Sequence, residues 1–491
     1  MVMASVVTEA SAQESSKTHA VSLQDCIQQA LEHNLDLKVE RYDPQIASLN
    51  LRGAYADYDP SFSIAGSHNY SLSGGGIDPA THLPSPTSTI DQNSFNAGLS
   101  GLAPLGLNYS LQGNIAESYG TIGGFPSDNT RGSALINLKQ PLLKNFWLDG
   151  TRLNIRVKKL ALQQSELKLR NAIIGVATSV ELAYYDLIYA RENVKVLEKA
   201  VELAAQSVRE NKKRVEVGTM APLDEKQAES QEATSRSDLL QSQRLLAAAE
   251  NALKRLITER FSEFQPVELV PSDILTAPFQ VFDLQLSWNR GLSQRPDLLQ
   301  AKLDVERSGV ELKYYRNQLF PELDLVGTYG HSAGGASIQE FSQGFDELRM
   351  GNKPFYSYGA QLTFPLGNTG ARTRYRASKL AREQLVLGVK KIEQDIMVAI
   401  DDAIKLAKSS YQRMQATREA REYAQAALEA EQKKLENGKS TNFEVLRLQR
   451  DLTSASSEEI RAQTDYKRNL SQLSSFEAST LDRLGINLEV K

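Results

Sequence analysis

The feature that most constrains this chain is a proline-free run from 151 to 217 in which Gly175 is the one weak breaker. At 1.5 Å per residue that run makes a helix of about 100 Å, far beyond the usual length in globular domains. Ile173, Val180, Leu187, Val194, Val201, Val208 and Val215 recur every seven residues, and Val176, Ala183, Ala190, Leu197 and Ala204 form the interleaved row. This is a heptad seam, and it needs partner helices along its length. A second run, 371–436, places Ile392, Ile396, Ala399, Ala403, Leu406, Ser410, Met414, Thr417, Ala420, Ala424 and Ala427 at three-to-four spacing. Small residues there let neighbouring helices approach closely. Both stripes read as packing surfaces, not cofactor sites, and helices this long build the wall of a rod or tube.

The two runs belong to an internal repeat. Residues 23–66 align with 284–327 without a gap, pairing Leu23 with Leu284, Gln24 with Gln285, Leu31 with Leu292, Asp36 with Asp297, Leu37 with Leu298, Pro60 with Pro321 and Gly66 with Gly327. Gly150 then matches Gly370, Arg152 matches Arg372, and Gly218 matches Gly438. A first repeat over 21–258 comprises a helix, strands within 60–141 and a long helical hairpin over 150–258. The second, over 284–484, comprises a helix, strands within 321–366 and a hairpin over 371–484. Pro266, Pro271 and Pro278 forbid continuous helix in 259–283, which reads as the linker. Residues 485–491 form a C-terminal tail. Two copies are too few for a solenoid.

Six segments alternate as strands: 60–70, 95–103, 105–115, 134–140, 323–331 and 356–366. In the first, Phe62, Ile64, Gly66, His68 and Tyr70 oppose Ser61, Ser63, Ala65, Ser67 and Asn69. One face is apolar and the other small and polar. A soluble sandwich shows the same alternation, but lengths near ten residues, terminal aromatics and long Gly/Ser/Pro loops such as 71–92 favour a transmembrane barrel. One chain supplies too few strands to close a barrel of about eight, and open edges are excluded in lipid, so the membrane reading itself requires oligomerisation. No helical run offers about 18 uninterrupted apolar residues; the most apolar stretch, 172–190, carries Glu181 and Asp186. Strands must therefore do any spanning.

Lys and Arg total 56 against 60 Asp and Glu, a net charge of -4, which does not recommend nucleic acid as a partner. The sole cysteine, Cys26, excludes an intrachain disulfide. Asp25 before it suits no lipid-anchor motif, so Cys26 reads as a free helix cysteine. Ala10, Ser11 and Ala12 before Gln13 resemble the end of a secretory signal without its basic and apolar regions. Residues 1–20 are read as disordered or as a signal remnant.

With its duplicated Leu-Gln and Asp-Leu helices, the strand-opening Pro60 and Pro321, the strand-ending Pro141 and Pro365, and the Gly218 and Gly438 turns, the chain from about 22 to 484 resembles the TolC-like outer membrane efflux proteins. The resemblance implies a mixed α and β membrane protein: antiparallel coiled-coil hairpins form an α-barrel, and strands contribute to a trimeric transmembrane β-barrel. It implies a homotrimer in the bacterial outer membrane, in contact with its lipid and extending into the periplasm. There it meets a periplasmic adaptor (membrane fusion) protein and, indirectly, an inner-membrane pump of an efflux or type I secretion system, and conducts substrates passively. The family plan has four strands per protomer and a 12-stranded barrel. Here Ala103, Pro104, Leu105 and Gly106 turn an extra hairpin, so either three protomers close 18 strands or the hairpin lies outside a 12-stranded wall. The wider barrel is preferred.

By the same resemblance, Val217, Gly218, Thr219, Asn437, Gly438, Lys439 and Ser440 are the periplasmic tips where adaptor hairpins dock. Glycine there also serves simply to turn antiparallel helices. Asp224 and Glu444 match carboxylates at the tunnel mouth, where three-fold symmetry would gather six charges favouring cations. The competing reading makes Thr441 and Glu444 a capping box, and Pro222 with Asp224 a helix start. The family's second acidic position is Gln227 and Arg447 here, so no doubled acidic ring forms.

Enzymatic readings find no support. His19, His33, His68, His82 and His331 are scattered without metal-ligand spacing, and no phosphate loop or nucleophile elbow occurs. No cofactor or metal is expected. A non-conducting coiled-coil scaffold or fibre is the alternative, but it leaves the six alternating segments unexplained.

Overall fold

The structure, a computed structural model, describes residues 18–486 apart from 79, 85, 274, 276, 277, 336 and 337. The first half of the described chain runs β1 (Thr18–Val21), α1 (Leu23–His33), α2 (Leu35–Glu40), α3 (Tyr42–Ala54), β2 (Ser61–Ser73), β3 (Ser88–Leu102), β4 (Asn108–Ile122), β5 (Phe125–Pro141), α4 (Gly150–Glu216) and α5 (Pro222–Ile257). Next come α6 (Phe261–Phe264) and β6 (Glu268–Pro271). The second half runs α7 (Leu284–Gln294), α8 (Pro296–Asn317), β7 (Glu322–Ala333), α9 (Phe341–Met350), β8 (Pro354–Thr363), α10 (Thr369–Glu436), α11 (Asn442–Phe476) and α12 (Thr480–Leu484).

The chain divides into two units. One comprises residues up to Pro44, Ser165–Ala301 and the residues from Gly388 onward; the other comprises Gln45–Gln164 and Lys302–Leu387.

In the helical unit, the heptad seam of α4 is most deeply buried where it meets the N-terminal elements. Val180, Tyr184 and Leu187 are fully buried beside Val21, Cys26, Ala30, Leu253 and Leu269. A second cluster joins Leu298 to Ile396, Ile400, Ala403, Ile404 and Leu473. Close approach is enforced at Gly291, where a Cβ would come within 2.6 Å of Ile400 Cδ1. The apolar part of α4 is thus spent inside the protein. Its carboxylate Glu181, wholly buried, accepts from Arg483.

Three expectations change here. The helix expected at the start of each repeat is broken. Asn34 turns extended (ψ 124), its Oδ1 accepting from Leu37 N at 3.1 Å, and in the second repeat Arg295 is extended immediately before Pro296. Residues 18–20, assigned above to a disordered N-terminus, instead lie in β1, which pairs parallel with β6, Thr18 opposite Glu268 and Val21 opposite Pro271. The linker therefore contains a short helix and a strand; its apolar Leu269 is fully buried in the core. Residues 1–17 and 487–491, including most of the segments called signal remnant and tail, lie outside the described residues.

The other unit carries one six-stranded antiparallel sheet in the order β2-β3-β4-β5-β7-β8. All six expected strands are present, and Gly106 (φ +82) turns the extra hairpin, with Gly106 N donating to Ala103 O at 2.8 Å. That hairpin, β3–β4, lies between β2 and β5 within the sheet. The strands at its core run longer than the alternation predicted: β3 begins at Ser88 inside the expected 71–92 loop, and β4 extends to Ile122. Past Phe95 and Ile115, both faces become polar and the two-residue signal fades. The sequence reading also missed α9. Phe341, Phe345 and Leu348 follow helical spacing there, and Gly351 (φ +68) ends the helix.

Candidate functional site

The sheet presents two chemically distinct faces. The register places Phe95 opposite Ile115, Ile115 opposite Gly132 and Gly132 opposite Ala333. Because side chains alternate, this row shares a face with Ile64, Leu111, Ile136, Tyr358 and Leu362. Much of that face is open: Ile64 is 74% exposed and Tyr358 84%. The opposite face bears small hydroxyls and amides that bond across strands, including Ser67 Oγ to Ser94 Oγ at 2.7 Å and Thr328 Oγ1 to Asn137 Oδ1 at 2.8 Å. Ser61, Ser100, Ser110, Asn137, Lys139 and Thr328 line a hollow of about 640 Å³ on this polar side. Charge on it is concentrated where Lys139 meets Asp324 at 2.8 Å.

Among the described residues, each edge strand keeps one side unpaired. β2 pairs with β3 alone and β8 with β7 alone. Since the strands alternate in direction, β2 and β8 run oppositely, and an edge-to-edge joint between copies would keep every neighbour antiparallel.

In the helical unit, the tip residues form two closures of the same design. Gly218 (φ +78) lets its N–H reach Val215 O at 3.0 Å while Thr219 N reaches Arg214 O at 2.9 Å. Gly438 (φ +69) repeats this with Leu435 O at 3.0 Å, and Lys439 N reaches Lys434 O at 2.8 Å. These are Schellman-type ends that satisfy the last helical carbonyls. A Cβ at either glycine would meet nothing within 4 Å, so only backbone conformation demands glycine. Val217 is 73% exposed and offers an apolar contact at the tip. Asn437 Nδ2 donates to Lys433 O at 2.7 Å, and Ser440 Oγ donates to Glu431 Oε1 at 2.6 Å. Lys434 and the Ser440 hydroxyl hold the Glu431 carboxyl below the usual range.

Beyond the turns, Asp224 Oδ2 accepts from Ala221 N at 3.3 Å, the helix-start role expected after Pro222. The capping box expected at Thr441 is only half present: Thr441 Oγ1 accepts from Glu444 N at 3.4 Å, but the Glu444 carboxylate turns to Arg447 at 2.6 Å. Arg447 answers the charge of Glu444 within its own chain. Gln227 Oε1 is buried with no partner among the described residues. The two tips are brought together by Asn442, 4% exposed, whose Nδ2 donates to Asp224 O at 3.5 Å. Sequence reasoning did not single out Asn442. Its signal was its place directly after the helix-capping Thr441, where a buried amide is unusual.

Among the described residues no cluster of three or more His, Cys, Asp or Glu is arranged to hold a metal ion. The site is thus built of surfaces: a two-faced sheet with open edges and two glycine-turned tips.

Comparison with known proteins identifies the family. The chain belongs to the outer membrane efflux protein family, whose model matches residues 26–259 and again 289–476. It is 24% identical over 363 residues to the outer membrane efflux protein BepC of Brucella suis, covering 73% of this chain and 75% of that one. Solved structures of the same fold include the outer membrane protein VceC of Vibrio cholerae, with TM-score 0.67, 18% identity and coverage of 93% and 95%. The CmeC channel of Campylobacter jejuni gives TM-score 0.65, 17% identity and coverage of 93% and 86%. The family is one of bacterial outer-membrane efflux channels extending into the periplasm, not of enzymes, and this membership sets aside the scaffold alternative.

Proposed function

We propose that the chain is one third of a trimeric outer-membrane conduit that passively carries substrates from an inner-membrane pump and a periplasmic adaptor to the exterior, in an efflux or type I secretion system. The observation that carries this reading is the sheet: apolar on one face, polar on the other, and, among the described residues, unpaired along the outer sides of β2 and β8. Such a sheet cannot lie in lipid with open edges, and six strands are fewer than the smallest barrels of about eight. Three copies joined β8 to β2 close 18 strands, and the duplicated hairpins α4–α5 and α10–α11 supply six helical hairpins for a periplasmic tunnel. The central place of β3–β4 in the ladder supports the 18-stranded wall over a 12-stranded one with the hairpin outside it.

The tips Val217–Thr219 and Asn437–Ser440 are the proposed adaptor-docking points, with Asp224, Gln227, Glu444 and Arg447 at the tunnel mouth. Barrel diameter grows roughly linearly with strand number, so the membrane pore would be wider than in a 12-stranded relative. Electron cryomicroscopy of the detergent-solubilised protein tests the reading. A three-fold particle with 18 wall strands is expected. A monomer that stays out of detergent micelles would overturn the conduit, and a trimer with β3–β4 peeled away from the wall would overturn the strand count alone.

A further inference from the structure

The loop between β7 and β8 holds α9 against the sheet, and it does so on the apolar face. Phe341 meets Phe95 edge-on with ring centroids 5.3 Å apart. Gly344 comes so close that a Cβ would stand 2.7 Å from Thr130 Cγ2 and 3.1 Å from Ile115 Cδ1, and Leu348 Cδ1 packs over Gly132. The segment is also tied by hydrogen bonds: Thr130 N donates to Ile338 O at 3.1 Å, and Thr130 Oγ1 donates to Gln339 O at 3.0 Å. Lys353 binds Glu347 at 2.6 Å and the Gly334 carbonyl at 2.6 Å, pinning the far end. Thr130 is wholly buried beneath the helix.

The height of this attachment is informative. Below the row Phe95–Ile115–Gly132, toward the strand ends that join α4, α8 and α10, the apolar face bears Ala97, Leu99, Leu111, Ile136 and Leu138. Above it the same face bears Asp91, Asn93, Glu117, Tyr119 and Asp128. The helix sits on the boundary. At 100° per residue, the order of its contacts runs from Gly344 over Thr130 to Leu348 over Gly132, from the polar side toward the apolar side. Continuing that rotation leads next to Phe345 and then Arg349, whereas Gln343 and Glu347 occupy the opposite flank. Phe345 is 58% exposed, and Arg349 is exposed with no partner among the described residues.

We propose that α9 is a membrane-interface collar: it lies on the outer wall at the headgroup level of the external leaflet, with Phe345 seated among acyl chains and Arg349 at the lipid phosphates. This rests on the reading above that the apolar face meets lipid. Aromatic rings with an adjacent snorkelling cation are the side chains that such a boundary favours. The occupant is lipid because the exposed Phe345 continues the apolar rows directly below it, and because the charged rows begin directly above.

Nitroxide labels test this in the protein reconstituted into vesicles of phosphatidylcholine and phosphatidylglycerol, with single variants Phe345→Cys, Gln343→Cys and, on the sheet below, Leu362→Cys. The native Cys26 is fully buried and stays unlabelled. Power saturation with oxygen and with a water-soluble nickel chelate is the readout. The label at 345 should be several-fold more accessible to oxygen than to nickel, and the label at 343 should show the reverse. If the label at 362 is in lipid but that at 345 is in water, the collar is wrong while the barrel reading stands. If the label at 362 is itself in water, the barrel reading fails first. Should Phe345→Cys not assemble, Arg349→Cys reads the same flank, and it is expected to fall between the two extremes; nickel accessibility equal to that at 343 would overturn the collar.

Discussion

Arg483 Nη2 donates to both carboxylate oxygens of Glu181, at 2.7 and 2.6 Å, across 302 residues of sequence. Glu181 is 0% exposed in the middle of α4, and α12 supplies the charge that pairs with it among the described residues. Removing Arg483 strands a buried anion, which costs about 3–5 kcal/mol. The low end is expected because Arg483 keeps part of its side chain in solvent. Arg483→Ala should lower the thermal midpoint in detergent, followed by circular dichroism. Glu181→Leu combined with Arg483→Met should recover most of the loss, and equal destabilisation of single and double variants would contradict the pairing.

The ion pair of Arg447 with Glu444 makes a specific prediction for the proposed tunnel mouth. With Glu444 already answered within its own chain at 2.6 Å, Arg447→Gln should raise cation preference in planar-bilayer recordings, because three carboxylates would lose their partners in the proposed trimer. Asp224→Asn together with Glu444→Gln should remove the remaining preference. Unchanged reversal potentials in both variants would place these residues away from the conducting path.

At the tips, Gly218→Leu and Gly438→Leu meet open space but force a left-handed backbone, a strain of about 1–2 kcal/mol each. Folding and oligomer level should survive that strain. Dye retention in cells that depend on this channel should rise if the tips dock an adaptor. Normal dye clearance at normal channel levels would remove the docking role.

Cys26 gives a pH test. Burial, with smaller contributions from Asp25 and Asp273, pushes its thiol up to about 12 from an ordinary 9.0. The folded state therefore holds a proton that the unfolded chain releases, so this group's contribution to stability falls as pH rises above 9.0. Ellman's reagent should react negligibly with the native protein at pH 8 and rapidly after denaturation. Fast native labelling would show that the core around α1 opens.

How much was legible in the sequence depended on which physical signal was strong. The helix from Gly150 was readable to within a residue because nothing in 151–217 breaks it and Ile173 through Val215 keep one phase. The strands were found wherever one face is apolar and one polar, as at Phe62–Tyr70. They were cut short at Asp91 and Glu117, where both faces are polar. Segment α9 was missed because ten residues give under three turns, and its inward face includes Gly344, which carries no hydrophobic signal. The tips followed from Gly218 and Gly438, but the turning of Glu444 toward Arg447 was not readable, since a carboxylate three residues from both a cap and an arginine suits either.

Strand β1 pairs with a segment that arrives 250 residues later, and Leu23 N donates to Asp273 Oδ2 across that same gap. Tyr184 Oη also depends on it, donating to Val21 O at 3.1 Å. Such a distant contact is slow to form because a long loop must close first. The N-terminal hairpin half can thus form its helices early yet cannot lock its base until the connector between the halves has emerged, so assembly of the helical unit waits on the middle of the chain rather than on its beginning.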